Sequence, residues 1–128
     1  MRQVHHDQLL KRWLDLCRHI GVQRGHSYYI ALYRHLVHYY NHPGRHFHSL
    51  DHIGNCLAKF DEIKHLLNEP DVVELAIWFH DAIYEVWADD NEDRSAELAM
   101  FFIVHLMGLP RELANKVAYQ IQRTNYFS

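Results

Sequence analysis

Long apolar runs are missing from this 128-residue chain. None approaches the roughly 20 residues that a membrane-spanning helix needs, so no span is expected. Glycine and proline are scarce, at five and three residues, which suits long helices joined by short connections. Cysteine occurs only as Cys17 and Cys56, which form neither a CxxC pair nor a disulfide framework. Each falls on an apolar helical stripe, so both are expected to be buried free thiols in a reducing, cytoplasmic protein. The first residues, Met1 to Gln8, are polar and contain Asp7, without the apolar region of a secretory signal. A strong excess of one charge is lacking as well. The formal net charge is −3, which gives no footprint for a nucleic acid polymer or an anionic membrane.

What is present is a core and an unusual number of imidazoles. Apolar residues make up 48% of the chain, which excludes disorder. The length fits one domain, residues 1–128, able to bury roughly two thirds of its unfolded surface. Thirteen histidines raise the expectation of metal chemistry. A histidine-rich surface with no site is the plain alternative.

The hydrophobic pattern predicts an all-α chain of six helices and no strand. Leu10, Trp13, Leu14 and Cys17 form the stripe of a first helix over about Asp7 to His19. Ser27 is placed to cap a second, with Tyr29, Leu32, Tyr33, Leu36, Val37 and Tyr40 inward. Asn41 to Gly44 stops it. A third helix runs from near His48 to about Asn68, burying Leu50, Ile53, Leu57, Phe60 and Ile63. Pro70 breaks it, and Asp71 can cap a fourth from Val72 to about Tyr84, with Leu75, Ala76, Phe79 and Ile83 inward. An acidic loop, Asp89 to Asp93, leads to a fifth with Ala96, Ala99, Met100, Ile103 and Met107 inward. Gly108 ends it. Pro110 starts the sixth, which buries Leu113, Val117 and Ile121.

Within the fourth helix His80 follows Ala76 by four residues and precedes Ile83 by three, so it points toward the core side. Asp81 lies about 100° further round. Together they cost desolvation energy unless something pairs with them, and a divalent cation can. For the pair alone, a core histidine bonded to backbone beside a solvated aspartate is the better reading. His48 and His52 are four apart on one helical face, a spacing that can bind metal and that also arises freely in a histidine-rich chain. Arg45, just before a helix start, is able to fork onto a phosphate, although alone it reads as a solvated arginine. Trp78, Phe79 and Tyr84 read as core rather than as a platform for a base.

The combination is more specific than its parts. Arg45-x-Phe47-His48-x-x-x-His52-Ile53, then Ala76-Ile77-Trp78-Phe79-His80-Asp81-Ala82-Ile83-Tyr84, then Asn91-Glu92-x-x-Ser95-Ala96, resembles the HD superfamily. It is similar in particular to the small bacterial group described as predicted metal-dependent HD phosphohydrolases, over about Tyr33 to Thr124. The resemblance implies an HD-like helical bundle with His48, His80 and Asp81 as metal ligands. It implies Mn, Mg, Fe, Co, Ni or Zn as cofactor, and cleavage of a small phosphorylated substrate, a nucleotide among the candidates. The cation would polarise the phosphoryl oxygen and lower the pKa of water. Asp81 and Glu92 are then the catalytic carboxylates, and Arg45, His52 and Asn91 the substrate contacts. Asn91 and Glu92 also have plain roles, as a helix cap and as acids suited to a helix dipole.

The group's pattern ends in a further aspartate ligand, yet no aspartate follows Asp93. A shortened chain, an incomplete sequence, or a substitute such as Asp89, Asp90, Glu92 or a residue of a second subunit would each account for this. A bundle lacking later helices would expose apolar surface, so a homodimer is expected. The alternatives to an enzyme are an HD-type binding module with a partial metal site, or a helical protein that captures metal adventitiously.

Overall fold

A computed structural model describes residues 2–41, 49–85 and 87–123. Among them are six α-helices and no strand, so the all-α expectation holds. They are α1 (Arg2–His19), α2 (His26–Tyr40), α3 (Leu50–Ile63), α4 (Pro70–Phe79), α5 (Asn91–Phe101) and α6 (Arg111–Gln122). A 3₁₀ turn, Lys64–Leu66, follows α3, and a wide π turn, Phe102–Leu106, continues α5. No described helix is long and apolar enough to cross a membrane.

The predicted stripes form one core. Trp13, Cys17, Leu36, Ile53, Leu75, Phe79, Ile103, Val117 and Ile121 are almost wholly enclosed. Trp13 meets the edge of Trp78 at 5.3 Å between ring centroids, and Phe79 meets Phe102 at 5.2 Å. The indole N–H of Trp13 donates to the Tyr29 carbonyl at 3.1 Å, and the Tyr29 hydroxyl donates to Val22 at 2.7 Å. Trp13 and Tyr29 are thus buried without losing their polar partners, whereas the enclosed indole N–H of Trp78 has none among the described residues. Helix α6 packs on α4 and α5, α1 on α2, and α3 on α4.

Several boundaries differ from expectation. Ile63 is exposed rather than inward, because α3 tightens into the 3₁₀ turn and its stripe ends at Phe60. Ser27 does not cap α2, since Gly25 occupies that position. Pro70 opens α4, its missing N–H being one the first turn leaves unpaired anyway, and Asp71 sits inside that turn while Glu69 holds the N-cap position. Pro110 stands just before α6 in extended backbone rather than inside it. Gly108 does end the preceding helix, in the left-handed region at φ +67°. There the Leu109 N–H reaches back to Ile103 at 2.9 Å.

The largest departure concerns α4. It stops at Phe79, so His80 and Asp81 lie in the turn beyond it and not on its face. The last carbonyls of a helix need partners from outside it. Here the Trp78 carbonyl accepts the Tyr40 hydroxyl at 2.8 Å, and the Ile77 carbonyl accepts a proton from His80 Nδ1 at 2.7 Å. With those carbonyls satisfied, the chain leaves the helix without a glycine.

Candidate metal centre

Two elements meet at the turn after α4. On α3, His52 and Cys56 stand four residues apart, at the margin of the buried face made by Leu50, Ile53 and Leu57. Their side chains approach one another, with Cys56 Sγ 3.6 Å from His52 Nε2. Across from them, His80 Nε2 lies 3.3 Å from His52 Nε2. Asp81 Oδ2 lies 3.4 Å from His80 Nε2 and 3.6 Å from His52 Nε2. His80 and Asp81 are largely enclosed, and the His52 side chain is 37% exposed, so the centre opens to solvent on the α3 side.

The state of the His80 ring follows from its partners. A carbonyl only accepts, so Nδ1 carries the proton that bonds Ile77. In the neutral ring Nε2 therefore presents a lone pair toward His52 and Asp81. Ligating histidines are commonly held this way, with the second nitrogen donating to backbone or carboxylate. Two imidazoles, a carboxylate and a thiol converging within such distances call for a proton or a cation between them. His52, Cys56 and His80 could together hold a metal ion, each offering one ligand atom within 4.8 Å of the others. The donor set fits a divalent cation.

The thiol differs from its counterpart in the core. Cys17 is fully buried, and burial pushes it up to about 12, which makes it inert. Cys56 is only half-buried, which corrects the expectation of a second buried thiol. Burial, and then the Asp81 carboxylate, push its thiol above the ordinary 9.0. A metal taking sulfur there must displace a proton.

What holds the turn is a pair of side chains on α5. Ser95 Oγ accepts the Ile83 N–H at 3.0 Å and donates to the Ile83 carbonyl at 3.1 Å. Asn91 does the same one helical turn earlier, its amide accepting the Glu85 N–H and donating to the Glu85 carbonyl, both at 3.0 Å. Asn91 and Ser95 are four apart on one face of α5, and each meets one residue of the segment 83–85. Asn91 therefore does not cap α5, where Asp90 stands at the N-cap. It fastens the segment that follows Asp81.

The remaining predicted residues fall as follows. Arg45 and His48 lie outside the described residues. Glu92 is half-buried in the first turn of α5, and its carboxylate makes no hydrogen bond or ion pair with a described residue. His52, expected to contact substrate, directs Nε2 at His80 and Asp81. The sequence reading missed Cys56, although its spacing of four from His52 carried the signal. It also missed the Ile77 carbonyl, which no side-chain pattern reveals. No protein-family model matches the chain, and no curated protein or solved structure is similar to it, so its own residues carry the functional assignment.

Proposed function

We propose that this protein is a metal-dependent phosphohydrolase of the HD type, acting on a small phosphorylated compound. One observation carries the reading. His52 Nε2, His80 Nε2 and Asp81 Oδ2 lie within 3.6 Å of one another, with His80 already oriented by the Ile77 carbonyl. That arrangement supports reading His80 and Asp81 as the His-Asp doublet of the resemblance. A divalent cation held there supplies a Lewis acid for a phosphoryl oxygen and acidifies water.

The chain's own residues divide the remaining work. Asp81 brings negative charge to the centre, and His52 and His80 bring neutral donors. Asn91 and Ser95 keep the turn in place through the backbone of Glu85 and Ile83. Glu92 is the base proposed to take a proton from water, and Arg45 is proposed to hold a phosphate oxygen by a forked pair of bonds.

Metal analysis of protein purified without a histidine tag tests the centre. Near-stoichiometric metal is expected, with loss in His80→Ala and Asp81→Ala. Unchanged metal content in both variants would rule out this site. A screen of nucleotides and simple phosphate esters with added manganese or magnesium tests the reaction. Metal-stimulated release of phosphate, abolished by Asp81→Ala, is expected. Metal binding with no turnover on any of them would leave a binding module.

A further inference from the structure

The phosphohydrolase reading above rests on the nitrogen and oxygen donors of His52, His80 and Asp81. Cys56 adds sulfur, and its position matters more than its presence. Zinc bonds run near 2.0–2.2 Å to imidazole nitrogen and carboxylate oxygen and near 2.3 Å to thiolate. A tetrahedron of such bonds has edges of roughly 3.3–3.5 Å between nitrogen or oxygen donors, and about 3.6 Å between nitrogen and sulfur. The observed separations are 3.3 Å for His52 to His80 and 3.6 Å for Cys56 to His52. Each agrees with the corresponding edge to about 0.2 Å. Cys56 and His80 also meet the distance requirement for shared ligation.

We propose that Cys56 is a thiolate ligand, so that His52, Cys56 and His80 supply a nitrogen-and-sulfur donor set selective for zinc-like ions over magnesium. The proposal rests on the metal centre above and specifies which cation it takes. Three features support it together. His52 and Cys56 share one face of α3, so the helix fixes their spacing before any metal arrives. The sulfur is half-buried, so water does not compete freely for it. A thiolate and two imidazoles are borderline-soft donors, which favour zinc or cobalt and disfavour the hard cations that prefer oxygen alone. Three protein donors leave a zinc ion the open position for water that hydrolysis needs.

Cobalt(II) alone, titrated into the metal-free, tag-free chain, is the probe. The expected result is one ion per chain, with tetrahedral ligand-field bands and a near-ultraviolet sulfur-to-cobalt charge-transfer band. Cys56→Ser removes the charge-transfer band and weakens zinc binding by more than the roughly 10–100-fold known for disturbing only a ligand's outer partners. Helical circular dichroism checks that the variant folds. A second measurement needs no variant: zinc, but not magnesium, protects Cys56 from iodoacetamide, while enclosed Cys17 is the unreactive internal reference. Stoichiometric cobalt without the charge-transfer band, or Cys56 alkylated equally fast with and without zinc, overturns the thiolate ligand and leaves the phosphohydrolase reading standing. No cobalt bound at all overturns both.

Discussion

Gly108 shows how little a single residue needs to do to be decisive. At φ +67° it occupies backbone that a side chain resists, yet a Cβ built there meets nothing within 4 Å. The cost of substitution is thus conformational and not steric. Gly108→Ala is expected to lose about 1–2 kcal/mol of stability, measured by urea unfolding. A neutral substitution would mean that the turn relaxes to another conformation. His80 makes the opposite point, since it does two things at once. Its sequence position said that it faces the core side, and that orientation was legible from Ala76 and Ile83. That it ends α4 was not legible, because helix termination here depends on Tyr40 and His80 supplying donors to Trp78 and Ile77. Such partners arise from tertiary packing, which a periodicity argument does not contain.

Between α4 and α5 the unit of behaviour is the clamped segment. Ser95 is wholly enclosed and satisfies both backbone groups of Ile83. Ser95→Ala strands a donor and an acceptor and is expected to cost about 1–3 kcal/mol. It should also reduce metal affinity, because the turn carrying His80 and Asp81 loses its anchor. Thermal melting together with zinc titration checks this; lost stability at unchanged affinity would show that the anchor does not reach the centre. Asn91→Ala should act more mildly on stability, being nearer solvent. The stretch from Asn91 to Ser95 stands out in the sequence as a unit, but the sequence does not say that Asn91 and Ser95 hold the preceding segment. The geometry does not make Asn91 the cap, since its amide bonds both backbone groups of Glu85 and Asp90 holds the N-cap position. The helical stripes were legible because burial of one face imposes a period. Cys56 and His52 were harder, because residues at the margin of a stripe satisfy the pattern whether they pack or ligate.

Across the molecule, Arg12 ties three helices together. From α1 it forks onto Asp61 of α3 at 2.6 and 2.7 Å and donates to Glu74 of α4 at 3.1 Å. Burial raises Glu74 above the ordinary 4.5 despite Arg12, whereas the hydrogen bond from Arg12 lowers Asp61 below 3.8. The signs oppose. Glu74 contributes stability below 4.5 that is lost as pH rises through its folded value. Asp61 contributes above 3.8 and loses that contribution as pH falls through its folded value, a small effect because its side chain is 40% exposed. Arg12→Ala is expected to cost about 1–3 kcal/mol at neutral pH, and less below 4.5 where Glu74 is protonated. Glu74→Gln in the same background should recover part of the loss. Melting temperatures across that range check this, and a loss independent of pH would exclude the charge-based account.

The imidazole at position 80 has a practical consequence for anyone probing the centre by mutation. Because its Nδ1–H closes the end of α4, replacing the ring by alanine removes a donor and a structural stop in one stroke. Asparagine keeps an N–H able to reach the Ile77 carbonyl while offering no imidazole nitrogen. A chain carrying asparagine there would separate the scaffold from the chemistry that sits on it.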